Sequence, residues 1–238
     1  MTYTEYKDKV KNISNSIKKD KRLITTNRKG HNHRDLNFKT EQQKIDTSKF
    51  NCILGVSDEF IDCEASVSVG QINRTTIPNG KMVPSLPEGD NFTVAGCLGG
   101  LALGSNSYIH GFFNNNVIDF DVILGNGDII TNVSKNKHSD LYYGIGGTYG
   151  TLAIITRVKM KLINCDTYVK IKYFHHNSFK SFYLDFTTKI KEQNNDFIEA
   201  FVNSKNDFTI VCANFIKDVK KEDILVIKDK SILKQRHM

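Results

Sequence analysis

Between Thr4 and Lys19 apolar side chains recur at Tyr6, Val10, Ile13 and Ile17, one stripe of an amphipathic helix. A short strand over Leu23–Thr26 leads into a loop from Arg28 to Arg34. Alternation predicts strands over Lys44–Leu54 and Glu64–Val69, followed by a short helix over Gly70–Ile77. Asn126 and Gly127 between two β-rich runs predict a hairpin, because both residue types tolerate positive φ. Thr151–Leu162 alternates as a central strand. Beyond Asn164 the order is a strand (Tyr168–Phe174), a helix (Ser178–Gln193) and two strands (Phe197–Val202, Asp207–Phe215). That helix repeats Phe179, Phe182, Phe186 and Ile190 at helical spacing. The pattern predicts an α+β chain: two small lobes over residues 1–163, a partial α+β unit over 164–216 and a charged tail over 217–238.

One segment breaks from this alternation. Asn91–Val117 has no Asp, Glu, Lys or Arg, yet carries Gly96, Gly99, Gly100, Gly104 and Gly111. Asn, Ser and Gly interrupt it too often for a membrane span. Glycines at this density let backbone approach a ligand closely, and small hydroxyls add donors. Such a wall suits a large anionic cofactor. It is not a Walker loop, since no Lys-Ser/Thr pair follows, and no G-x-G-x-x-G with a later acidic residue supports a Rossmann site.

What stands here is a longer ordered series: Pro84–Glu88, Thr93–Gly96, Gly100, Ser105–Ser107, His110–Phe112, the hairpin run, Asp140–Tyr143, and Gly146–Thr156. Upstream lie Lys29–Arg34 and the approach Ile45–Leu54. This series resembles the PCMH-type FAD-binding domain of the vanillyl-alcohol oxidase / p-cresol methylhydroxylase superfamily, and within it the delta-24 sterol reductase branch. The resemblance covers about Leu23 to Ile163. It implies a two-lobed FAD-binding domain with the flavin between the lobes, followed by a truncated cap domain.

The resemblance also implies roles. Thr93, Val94, Ala95 and Gly96 would line the pyrophosphate or isoalloxazine edge through backbone N–H groups, with Gly100, Gly111 and Gly150 shaping the same wall. Ser105, Asn106 and Ser107 would donate to phosphate or ribitol oxygens, and Ile154 and Ile155 would pack at the adenine end. Arg34 would face phosphate, since a guanidinium bonds it bidentately. His31 matches a histidine that some members use to tether FAD; the sterol-reductase branch binds FAD without a tether, so a non-covalent cofactor is expected. Each residue also has a structural reading: turn glycines, self-satisfied polar loops, core isoleucines, a solvent-facing arginine. Asp119, Asp121 and Asp140 are read as solvent-facing or capping, and His175 and His176 as surface residues.

Charge adds one qualification. The formal net charge is +7, and the surplus sits in residues 1–50, which hold 13 Lys/Arg against 6 Asp/Glu. No interleaved aromatics or nucleic-acid motif accompany it, so no nucleic-acid partner is expected. Five dispersed cysteines without a C-x-x-C pair read as reduced thiols in a cytoplasmic setting, and no metal is expected. The start lacks the apolar core of a secretory signal, and no segment suits a transmembrane helix. Three functions stay open. The first is an FAD-dependent oxidoreductase passing hydride through flavin N5, its small-molecule substrate a sterol or other lipid, its cap completed by a second chain. The second is a truncated flavin-binding module without full catalysis. The third is a polyanion-binding protein using the basic N-terminal segment.

Overall fold

The computed structural model describes residues 2–20, 24–26 and 43–220, with residues 24–26, 43 and 44 as backbone alone. Helix α1 (Tyr3–Lys19) opens on a capping box, Thr2 accepting from the Glu5 N–H while the Glu5 carboxylate takes the Thr2 N–H. Strands β1 (Ile24–Thr26) and β2 (Gln43–Ile45) pair in parallel. The chain then forms β3 (Ile53–Val56), β4 (Phe60–Glu64), α2 (Val69–Thr76), β5 (Lys81–Met82), α3 (Val94–Gly99) and α4 (Ser107–His110). Next come β6 (Val117–Leu124), β7 (Ile129–Val133), α5 (Ser139–Gly144), β8 (Ala153–Lys161) and β9 (Ile163–Asn164). The antiparallel sheet β3-β4-β8-β6-β7 is the centre of the molecule.

Both faces of this sheet are covered, by different materials. On one, Ile61, Cys63, Phe120, Val122, Val158 and Met160 pack against Ile72 of α2 and Val94, Cys97 and Leu98 of α3. On the other, Ile123 and Ile154 join Tyr6, Val10 and Ile17 of α1, with Ile45 and Phe50. This second face is also polar. The Tyr6 hydroxyl donates to Asp121 (2.9 Å) and lies 2.8 Å from the Thr156 hydroxyl, while Lys9 meets the fully buried Glu64 at 2.5 Å. Under α1 sits Arg157, with Nε 2.7 Å from Asp62 and Nη1 2.8 and 3.0 Å from Asp119 and Asp121. Asp121 is buried and Asp119 is ion-paired, so neither is the solvent-facing residue expected. Asp140 is solvent-exposed, as expected, in the first turn of α5 after the N-cap His138.

Two strand expectations needed correction. Lys44–Leu54 is not continuous: Asp46 accepts from the Ser48 N–H, and this side-chain turn separates β2 from β3. Glu64–Val69 is the end of β4 and a buried connection, in which Ala65 and Val67 continue the alternation without belonging to the strand. The expected hairpin is β6–β7, but only Gly127 uses positive φ (+86°). A Cβ there would stand 2.7 Å from Lys18 Cγ and 3.0 Å from the Ser14 carbonyl oxygen. The Ser14 hydroxyl donates to the Gly127 carbonyl at 2.5 Å. One glycine therefore makes the turn and seats α1.

The remaining lobe runs β10 (Tyr168–His176), α6 (Phe179–Glu192), β11 (Phe197–Ser204) and β12 (Asp207–Ile216), the strand-helix-strand-strand order predicted. Its sheet order is β10-β12-β11, and α6 covers one face through Phe182, Phe186 and Ile190 against Ile198, Phe208 and Ile210. The chain is thus α+β throughout. Among the described residues no helix is long and apolar enough to cross a membrane.

Two tests bear on the α1 face. Gly127→Ala should cost roughly 1–3 kcal/mol, since it combines a left-handed backbone with a blocked helix seat, and urea unfolding would measure it; an unchanged midpoint would contradict this seat. Burial raises the Asp62 pKa, and pairing with Arg157 does not offset this because that guanidinium is shared with Asp119 and Asp121. A carboxyl raised on folding gives stability present below its unfolded pKa and lost as pH rises through the raised one. Asp62→Asn should therefore gain on the wild type as pH climbs above about 4; denaturation at several pH values showing a constant difference would refute this.

Candidate functional site

The uncharged segment does not fold as a loop. Thr93 N-caps α3, its hydroxyl accepting from the Gly96 N–H at 3.2 Å. Val67 and Ala65 carbonyls take the N–H groups of Val94 (3.0 Å) and Ala95 (2.9 Å). Of the four N–H groups expected to face a ligand, those of Val94, Ala95 and Gly96 are therefore engaged within the protein. The Ala95 methyl packs against the main core, so it does not narrow the surface.

The far end of α3 meets the Gly146–Thr156 run. The Tyr149 N–H donates to the Gly99 carbonyl at 3.0 Å. A Cβ on Gly99 would lie 3.8 Å from the Gly150 nitrogen and 3.9 Å from Ile155 Cδ1. At Gly100, a Cβ would stand 2.7 Å from the Gly96 carbonyl oxygen. Exposed Gly96, half-buried Gly100 and exposed Gly150, the last at φ +82°, thus converge on one patch of bare backbone. Nothing lies within 4 Å of where a Gly150 Cβ would be. Tyr149 borders the patch, the residue 59% exposed and its backbone at φ +53°.

A second group gathers beside it. Ser85, at φ +59° and fully buried, donates its N–H to Asn106 Oδ1 (3.0 Å) and its hydroxyl to the Gly111 carbonyl (2.5 Å). Asn106 is thus a buried brace. The Ser107 hydroxyl accepts from the Gly104 N–H at 2.9 Å, which leaves its own proton to give. The Ser105 carbonyl accepts from Ile198 of β11 at 2.8 Å. Tyr108 reaches further: its hydroxyl donates to the Asn195 carbonyl and its ring packs into the α6 lobe. Gly111 turns at φ +72°. The Ala102 carbonyl takes the Phe113 N–H and the Cys97 carbonyl the Ala102 N–H, joining the two groups.

The expected pair Ile154 and Ile155 is divided. Successive strand residues point to opposite faces, so Ile155 faces the α3 core while Ile154 packs under α1. Only Ile155 belongs to the patch. His31 and Arg34 lie outside the described residues. The sequence reading missed Ser85, whose position between Pro84 and Pro87 was the available signal, and Tyr149, flanked by Gly147 and Gly150. It missed Arg157 as well, a buried cation in the middle of a strand whose other cations, Lys159 and Lys161, lie towards its end.

Burial works against charge on two titratable groups of this segment: it pushes the Cys97 thiol up to about 12 and lowers the His110 pKa, Asp196 opposing the latter. Among the described residues no group of His, Cys, Asp and Glu is arranged to hold a metal ion.

Comparison with known proteins places this geometry. The model of a family described as "FAD binding domain" matches residues 3–132. The Delta(24)-sterol reductase of Pisum sativum is 30% identical over 179 residues, 71% of this chain and 32% of the relative. The human Delta(24)-sterol reductase is 26% identical over 153 residues, 64% and 30% of the two chains. The decaprenylphosphoryl-beta-D-ribose oxidase of Mycolicibacterium smegmatis is 29% identical over 125 residues, 52% and 27%. The chain spans about a third of the length of these curated relatives.

The tightest approach in the site gives a test. A Cβ on Gly104 would stand 2.2 Å from the Leu86 carbonyl oxygen, so Gly104→Ala should destabilise by roughly 1–3 kcal/mol through overpacking. Thermal unfolding would register this as a drop of several degrees, and an unshifted transition would mean the two loops do not touch.

Proposed function

The chain belongs to the FAD binding domain family, and on that premise we propose that it holds the flavin of an oxidoreductase of sterol-reductase type. FAD is its cofactor, and its matched relatives include sterol reductases. The observation that carries the reading is the bare backbone where Gly96, Gly99 and Gly100 of the α3 region meet Gly150 and Ile155, in a segment without a carboxylate.

The residues fit the group. A pyrophosphate needs close approach and no facing anion, and residues 91–117 supply both. In this reading Thr93–Gly96, Gly100, Gly111, Gly150 and Ile155 shape the wall, and Ser105 and Ser107 give hydroxyl protons. Val94, Ala95 and Gly96 act by bringing the backbone close, because their N–H groups are spent internally. Ile154 and Asn106 act indirectly, as packing and as a brace. Arg34 contributes the phosphate-facing cation, and the cofactor is held without a covalent bond to His31. When bound, FAD supplies hydride transfer at N5.

The substrate in this proposal is a sterol or another lipid, by analogy with the relatives' names. A second reading, FAD binding without complete turnover, is favoured by one observation. The segment 91–117 contains a single imidazole, His110, and burial lowers its pKa, which works against it as a proton donor.

An absorbance spectrum of the purified chain, before and after acid precipitation, tests the cofactor reading. A visible flavin band released by acid is expected. Flavin kept in the pellet would point to a covalent link, and a colourless chain that takes up no added FAD would defeat the proposal. Reduction of a sterol alkene by the flavin-loaded chain separates the two readings: turnover supports the first, its absence the second.

A further inference from the structure

We propose that Arg157 is a positioning residue for the FAD site, acting by fixing the register of β8 at the Thr156 bulge. The inference rests on the reading that Ile155 and Gly150 line the cofactor wall.

Across β6, Ile155 stands opposite Val122 while Arg157 stands opposite Asp121, so Thr156 is one residue too many. A bulge places two successive residues on the same side of a strand. Thr156 and Arg157 accordingly both reach the polar face under α1: Thr156 donates to the Asp121 carbonyl (3.2 Å) and meets the Tyr6 hydroxyl, and Arg157 takes Asp62, Asp119 and Asp121. Asp62 lies on β4 and the other two on β6, the strands on either side of β8. The guanidinium therefore pins the central strand to both neighbours at one level.

Stability alone does not call for this arrangement. Three carboxylates share one cation, and an apolar group of similar size often stabilises a core as well as a buried ion pair does. The best-attested use of buried charge is to select one register, and a slip of one residue in a strand exchanges its faces. Here the slip would carry Ile155 away from Gly99 and turn Ile154 towards it. The three elements of the wall would no longer meet. No apolar residue distinguishes these two registers as sharply, because residues 153–155 are apolar on both faces.

The test uses the full chain with added FAD, read by titration, by the visible flavin band and by cross-strand NMR contacts between β6 and β8. In a cluster-neutral variant, Arg157→Met with Asp62→Asn, Asp119→Asn and Asp121→Asn, we expect a folded chain, displaced β6–β8 contacts around Ile155, and FAD affinity weaker by about tenfold or more. Arg157→Lys, which keeps the charge but lacks the planar five-donor fork that fixes the guanidinium between both strands, should weaken FAD binding and shift the flavin band while its unfolding without FAD changes little. Native contacts and native affinity in the cluster-neutral variant would overturn the proposal. If that variant does not fold, unchanged affinity in Arg157→Lys overturns it instead, and weakened affinity supports it. Should the wild type itself take up no FAD, the cofactor reading fails while the β6–β8 contacts still decide for or against the register role.

Discussion

The shared guanidinium of Arg157 is the constraint on which the rest of the molecule hangs. It is 3% exposed, and it touches carboxylates from the strands on both sides of its own. Desolvation works against its charge, but three carboxylates outweigh that cost and hold its pKa above the ordinary arginine value. The surplus of negative charge is answered by α1, which brings the Tyr3 and Tyr6 hydroxyls to Asp62 and Asp121 and Lys9 to Glu64. Burial and the neighbouring carboxylates keep both phenols protonated and donating. The helix is therefore bound to the sheet by polar contacts as much as by its apolar stripe.

The opposite face follows different physics. There the sheet is closed by ordinary apolar packing, and function is assigned to backbone. Positions without side chains let α3, the Gly146–Gly150 run and the Pro84–Pro87 loop approach within contact distance. The donors that a ligand-binding reading would first invoke are consumed by the Ala65 and Val67 carbonyls and the Thr93 hydroxyl. In the proposed reading the surface takes its cofactor by shape and by lack of negative charge, with the Ser105 and Ser107 hydroxyls at its margin.

How much of this was legible depended on distance along the chain. Helices α1, α2 and α6 and the β6–β7 hairpin were readable, because each is specified by neighbours within a few turns or by a turn residue. So was the order of elements in the last lobe. Glu64–Val69 misled because a buried connection can keep strand-like alternation when it runs along a core. Ile154 and Ile155 looked like one site because adjacency in sequence hides the two faces of a strand. The bulge at Thr156 could not be read at all: it exists only relative to β6, and the partners that define Arg157 lie on other strands. Asp119 and Asp121 showed the same limit, since a charged pair flanking Phe120 looks solvent-facing until the cation above it is known.

The bridge from Ser105 and Tyr108 to the last lobe has a consequence of its own. Within four residues, the chain carries the hydroxyls proposed for the cofactor, gives a carbonyl to β11 and plugs a tyrosine into the core under α6. The two bodies therefore share a common lever. Any movement of the small lobe is transmitted to the four residues that also carry the buried Asn106 brace on Ser85. The stretch works as a hinge pin, tying the position of β11 and α6 to the Pro84–Pro87 loop.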